Sequence, residues 1–153
     1  MFERFARSAR TAVDDARYEA GRRGDRRIGT EHLLLAVLED DGIARAFGVD
    51  AETAREVADR LDGAALAAIG IEIGDFRPTG HAVLGRRVPL TAGAKAVLQQ
   101  TLAQAAAEKA RTITSRHIML ALLDRRRPDP AASVLAELPV DLQAARSRMS
   151  KAA

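Results

Sequence analysis

The segment Ile28-Gly29-Thr30-Glu31-His32-Leu33-Leu34-Leu35-Ala36-Val37-Leu38-Glu39 returns 85 residues later as Ile113-Thr114-Ser115-Arg116-His117-Ile118-Met119-Leu120-Ala121-Leu122-Leu123-Asp124. Each copy passes from a polar, hydroxyl-bearing start into six consecutive apolar residues, Leu33 to Leu38 and Ile118 to Leu123. A helix that is apolar on every side has to be enclosed, so it belongs at the centre of a bundle. Two such rods need two sets of covering helices, and that requirement narrows the fold more than any other feature.

The repeat extends to both flanks. At the same offset Ala9 meets Ala94, Arg10 meets Lys95, Val13 meets Leu98 and Ala20 meets Ala105. The register then lengthens, so that Val49-Asp50 falls on Val140-Asp141 and Ala54-Arg55 on Ala145-Arg146. We read the chain as one domain with a first repeat over 1–62, a linker over 63–89 and a second repeat over 90–150.

Composition agrees with helices throughout. Alanine and leucine dominate and aromatics are only 3 %, which favours helix over strand. The expected fold class is all-α, two pseudo-symmetric four-helix repeats. The first helix is predicted over residues 3–20, ending at Gly21, and its counterpart runs from an N-cap at Thr91 to about Ala110. The second helix is expected to open on hydroxyl N-caps at Thr30 and Ser115. Short third helices are predicted near Ile43–Phe47 and Ala131–Glu137, and fourth helices near Ala51–Leu61 and Leu142–Met149. In the linker, Ala64–Ile69 could add a helical turn or two. The stretch from Gly70 to Pro89 reads as an irregular connector with Ile71 and Ile73 as anchors.

The sequence carries no sign of catalysis. A phosphate-cradling G-x-x-x-x-G-K-[ST] loop is missing, so ATP hydrolysis is not expected of this chain. There is no H-E-x-x-H spacing and no cysteine, which argues against metal sites and disulfides; no cofactor is expected. Ser8, Ser115, Ser133, Ser147 and Ser150 lack the base and orienting acid of a nucleophile. His32 and His117 hold equivalent places in the two repeats and read as packing and capping residues, while His81 in the linker has no visible partner. The N-terminus lacks the apolar run of a signal peptide, and no stretch approaches the ~18 apolar residues of a membrane span. The cytoplasm is the expected location.

Charge offers one alternative. The 24 basic residues nearly match 21 acidic ones, for a formal net charge of +3. Arginines cluster at Arg22, Arg23, Arg26 and Arg27, at Arg86-Arg87, and at Arg125-Arg126-Arg127. Phosphate neutralisation on nucleic acid is the functional reading. Against it, no aromatics interleave with these arginines for base stacking, and solvated loops are the simpler explanation. Glu31 is the more informative charge: a carboxylate suits a helix start, yet the matching residue is Arg116, which the helix dipole disfavours.

Met1-Phe2-Glu3-Arg4-Phe5, Ile28-Gly29-Thr30-Glu31-His32-Leu33-Leu34-Leu35 and Val88-Pro89-Leu90-Thr91 ahead of Ala94-Lys95 resemble the N-terminal domain of Clp (Hsp100) unfoldases, most of all the ClpC type. The resemblance covers nearly the whole chain, duplication included, and suggests a free-standing protein of the kind encoded by actinobacteria. It implies a double four-helix repeat that recognises substrates, adaptors or degradation tags for the Clp protease system. In ClpC-type domains each repeat can hold a phosphorylated arginine, a glutamate at the core-helix start pairing with the guanidinium and a threonine at the first-helix start helping with the phosphate. Carried over here, the first repeat has Glu31 but Ala6 in the threonine's place, and the second has Thr91 but Arg116 in the glutamate's place. The resemblance also implies a surface for adaptors or cyclic-peptide antibiotics, matched by Phe2 and Lys95, with Leu90 replacing an aromatic. The expected partners are therefore proteins or peptides of the Clp system (substrate, adaptor or a ClpC-type unfoldase) and cyclic peptides.

Overall fold

The computed structural model describes residues 3–70 and 88–151. Ile71, Ile73, His81 and Arg86-Arg87 of the expected connector lie outside the described residues, as does Phe2. Among the described residues there are eight helices: α1 (Arg7–Arg22), α2 (Thr30–Val37), α3 (Asp41–Phe47), α4 (Ala51–Ala68), α5 (Ala92–Ala107), α6 (Ser115–Leu123), α7 (Pro130–Glu137) and α8 (Leu142–Lys151).

The two apolar rods form the centre. Every residue from Leu33 to Leu38 is at most 2 % exposed, and Ile118 to Leu122 are at most 1 %. Only Leu123, at the end of α6, is half-buried. Helices α2 and α6 pack against each other, with α1 laid on α2 and α5 on α6. The remaining helices cross between halves: α3 packs on α8, α4 on α7, and α2 also touches α7. One continuous core results.

The halves are also stitched by backbone. Ala6 donates to the Ile113 carbonyl at 2.8 Å and Ile113 donates back to Arg4 at 3.0 Å. Symmetrically, Ile28 donates to Pro89 and Thr91 donates to Ile28, both at 2.9 Å. These two short bridges correct the first helix. It starts at Arg7 rather than near residue 3, because residues 4 and 6 are committed to the other half.

The caps of the core helices also differ from expectation. They are Gly29 and Thr114, one residue earlier than Thr30 and Ser115. His32 Nδ1 accepts the Gly29 N–H at 2.8 Å, and His117 Nδ1 accepts the Thr114 N–H at 2.9 Å. With the histidines serving the cap, the next hydroxyls are free to reach across the domain. Thr30 donates to Asp129, the N-cap of α7, at 2.8 Å, and Ser115 donates to Asp40, the N-cap of α3, at 3.0 Å. Helix α5 stops at Ala107, short of Ala110, because Lys109 adopts a left-handed φ of 56°. Its counterpart at the end of α1 is Gly24, at φ 76°, where no side chain opposes that conformation. Helix α4 continues to Ala68, well past Leu61, taking in most of the extra turns allowed for at 64–69.

Candidate ligand site at the exchanged helix starts

The stitching decides which helix starts share a junction. Because Thr91 bonds to Ile28, the start of α5 lies against the loop that leads into α2 and Glu31. By the same exchange Ala6 lies against Ile113 and the start of α6, where Arg116 stands. The grouping expected within each repeat is thus replaced by a grouping across repeats. Glu31 and Thr91 fall at one junction; Ala6 and Arg116 fall at the other.

At the first junction α5 comes very close to α2. A Cβ added to Gly93 would lie 3.3 Å from Thr30 Cγ2 and 3.2 Å from Asp129 Oδ2, so only a residue without a side chain sits there at ease. Thr91 caps α5, its hydroxyl accepting from the Ala94 N–H at 3.1 Å. An accepting hydroxyl keeps its own proton available to donate.

Glu31 folds back over the cap of its own helix. Its Oε1 would be 1.9 Å from a Cβ on Gly29, so the absence of a side chain at Gly29 makes its seat. The side chain is 22 % exposed, and its nearest ring atom is His32 Nδ1 at 3.3 Å. That nitrogen already accepts the Gly29 N–H, so in this hydrogen-bond assignment the ring proton is on Nε2, aimed at Asp25 2.8 Å away. Among the described residues, no arginine or lysine forms an ion pair with Glu31. Arg23 is near enough to be felt, but its guanidinium is held by Asp59 at 2.6 Å and by Asp62. Burial pushes the Glu31 carboxyl above the ordinary glutamate value, with nearby Asp25 adding to the rise while His32 and Arg23 oppose it. A desolvated, uncompensated carboxylate gains on meeting a cation.

The second junction inverts this arrangement. Arg116 stands where Glu31 does, and Glu108 stands where Arg23 does, at the same 85-residue offset. Here the pair closes. Arg116 forks onto Glu108 at 3.2 and 2.6 Å, and His117 Nε2 joins the same carboxylate at 2.9 Å. The Arg116 hydrogen bond is the largest influence holding the Glu108 carboxyl down at about 2. Glu108 was not among the residues singled out from sequence, although the offset that pairs Glu31 with Arg116 also pairs Arg23 with Glu108.

The other expected surface residues divide. Leu90 is half-buried and bridges to Ile28, while Lys95 is exposed on the first turns of α5. Both lie at the Glu31–Thr91 junction. No helix among the described residues is long and apolar enough to cross a membrane.

Comparison with known proteins follows the same division into halves. A family model described as the Clp repeat (R) N-terminal domain matches residues 4–82 and again 89–153. The chain is 31 % identical over 154 residues to an ATP-dependent Clp protease ATP-binding subunit ClpA homolog of Guillardia theta, covering 97 % of this chain and 17 % of that protein. It is 32 % identical over 146 residues to the chloroplastic chaperone protein ClpC1 of Oryza sativa subsp. japonica, covering 92 % of this chain and 14 % of that protein. The chain thus spans less than a fifth of the length of these relatives. In fold it is similar to the N-terminal domain of the caseinolytic protease associated chaperone ClpD from Arabidopsis thaliana, with a TM-score of 0.74, 20 % identity and coverage of 99 % and 98 % of the two chains. The Hsp104 N-terminal domain from Candida albicans superimposes with a TM-score of 0.68 at 14 % identity, covering 96 % of this chain and 89 % of that one.

Proposed function

The chain belongs to the Clp repeat N-terminal domain family, and from that premise we propose that it is a non-catalytic protein-binding module of the Clp system. It recognises substrates, adaptors or degradation tags in the cytoplasm. The ligand group is a guanidinium bearing an anion, phosphoarginine in the first instance, held at the junction of Glu31 and Thr91.

One observation carries the reading: Glu31 is a largely buried carboxylate that, among the described residues, has no arginine or lysine paired with it. Charge-assisted bonding to a guanidinium would satisfy it. Thr91 and the first amides of α5 that it leaves uncapped, at Ala92 and Gly93, suit the phosphate. Leu90 and Lys95 at the same junction extend the proposal to cyclic peptides, which the domain would sequester; Phe2, the third residue expected on that surface, lies outside the described residues.

Nucleic acid is the competing ligand, and the arginines argue against it. Arg23, Arg55, Arg116, Arg125 and Arg146 are bound to carboxylates and Arg148 to backbone carbonyls. What is left near the first junction, Arg26, Arg27 and Arg126, is exposed but lacks aromatic neighbours in sequence.

Calorimetry with phosphoarginine, a phosphorylated protein and cyclic peptides tests the proposal. Glu31→Ala is expected to abolish phosphoarginine binding and leave helicity unchanged. Equal affinity in the variant would return Glu31 to a helix-dipole role, and a gel shift that weakens steeply with salt would favour nucleic acid instead.

A further inference from the structure

We infer that the second junction is a latent guanidinium site filled by the protein's own Arg116, which leaves this domain one working site instead of two. The inference rests on the reading of Glu31 given above and deepens it.

The second junction holds every part of a guanidinium pocket, ligand included. Glu108 presents both carboxylate oxygens to Arg116 in a forked pair, the geometry a free guanidinium would adopt. His117 Nε2 shares one of those oxygens, Oε2, with Arg116 and helps to fix the carboxylate. The Arg116 guanidinium reaches one more acceptor, the Met149 carbonyl at 3.4 Å, and its side chain is only 13 % exposed. Around the pair lies an open groove of about 820 Å³, lined by Asp40, Ile43, Ala46, Arg111, Thr112 and Met149 among others. The space and the carboxylate are present, but the charge that a ligand would bring is already supplied from within.

The two junctions are thus the same device in two states. At the first, the residue equivalent to Glu108 is Arg23, which is turned away to Asp59 and Asp62, and Glu31 forms no ion pair with an arginine or lysine among the described residues. At the second, the charges are exchanged and joined. Ala6, lying against this second junction, also offers no hydroxyl to an anion, and α1 has no side-chain cap. An external guanidinium would have to displace an arginine tethered one residue from the histidine that holds Glu108. The tethered group wins through its effective concentration.

The experiment uses ethylguanidinium as the probe for Glu108 and phosphoarginine for the count of sites. In the full chain, calorimetry with phosphoarginine is expected to give one site, and ethylguanidinium is expected to leave the Glu108 side-chain carboxyl resonance unmoved. In Arg116→Ala, Glu108 should titrate clearly above the value of about 2 it has in the parent, with His117 and Gln104 still holding it part of the way down. Adding ethylguanidinium should draw that titration back down. Arg116→Gln, which keeps most of the side-chain volume, repeats the test where the alanine variant loses its circular dichroism signal. Two phosphoarginine sites in the unaltered chain, or movement of the Glu108 resonance by ethylguanidinium without mutation, would overturn the inference. So would a folded Arg116→Ala or Arg116→Gln protein whose Glu108 ignores the probe. If the unaltered chain binds no phosphoarginine, the reading of Glu31 fails, and the Glu108 titration still judges the second junction by itself.

Discussion

Gly29→Ala separates the site from the fold more cleanly than any change to Glu31 itself. The new methyl would lie 1.9 Å from Glu31 Oε1, against the 3.4 Å at which ordinary contact begins. The carboxylate must therefore retreat by about 1.5 Å, which it can do because it is the free end of a flexible side chain. The backbone objects little. Gly29 sits at φ −100° and ψ 177°, open to any residue. Alanine is a poorer N-cap than glycine by roughly 0.5–1 kcal/mol, and a stiffer unfolded chain returns about 0.4–1 kcal/mol. Net stability should stay within about 1 kcal/mol of the parent, a melting shift of no more than ~2–4 °C for a chain of this size. Binding should behave differently. Hydrogen bonds to a charged group contribute about 1.5–3 kcal/mol, and a 1.5 Å displacement removes them, so phosphoarginine affinity should fall roughly ten- to 150-fold. Parallel calorimetry and thermal melts decide it. A Gly29→Ala protein that binds as tightly as the parent would refute the seat assigned to Glu31, and one that unfolds would refute the claim that the methyl displaces only a side chain.

Other perturbations follow from the same contacts. Glu31→Gln should raise the melting temperature at neutral pH: burial raises the Glu31 pKa in the folded state, so its ionised form costs stability there, and the neutral amide avoids that cost. Glu108 has the opposite sign. Its folded pKa of about 2 gives stability that is present above the ordinary glutamate value and lost as pH falls towards 2. Acid titration of Arg116→Ala should accordingly show a deficit against the parent at neutral pH that narrows through that window. Arg55→Ala should destabilise by about 3–5 kcal/mol in denaturant melts, because Glu19, 2 % exposed, is held by Arg55 at 2.8 and 2.5 Å and only weakly by Arg22. Leu34→Asp, placing an unpaired charge at a fully buried position, should abolish cooperative unfolding; a soluble, helical variant would refute the core assignment.

The helices were legible because periodicity and apolar runs are local signals, and the buried rods at Leu33–Leu38 and Ile118–Leu122 stand where the sequence puts them. Their caps were less so. Thr30 and Ser115 have the chemistry of N-caps, but a histidine three residues past Gly29 and Thr114 takes that role through the backbone N–H, and the hydroxyls go instead to Asp129 and Asp40 in the opposite half. A preference scale weighs a residue against its own helix and has no access to a partner some 100 positions away. The lengths of α1 and α5 were misjudged for a similar reason, since a non-local bridge at Phe5–Ile113 and a left-handed Lys109 end what helix propensity alone would continue.

The site shows the same limit in sharper form. Read along the chain, Glu31 belongs with Ala6 and Thr91 with Arg116, and both pockets look broken. The backbone bonds from Thr91 to Ile28 and from Ala6 to Ile113 trade the partners, so one junction collects both retained residues and the other collects both replacements. The replacements at Ala6 and Arg116 then count as a single event in space, confined to one junction. The core could not have diverged so freely. Helices α2 and α6 pack on each other, and a change in either rod is felt by both halves. The helix starts face solvent on one side and need only satisfy their own charges. Arg116 does so through Glu108, whereas Glu31, with Arg23 drawn off to Asp59 and Asp62, does not. On the proposed reading, a domain that pairs Glu108 with Arg116 while leaving Glu31 without an arginine or lysine among the described residues keeps the stability cost where an incoming guanidinium would remove it.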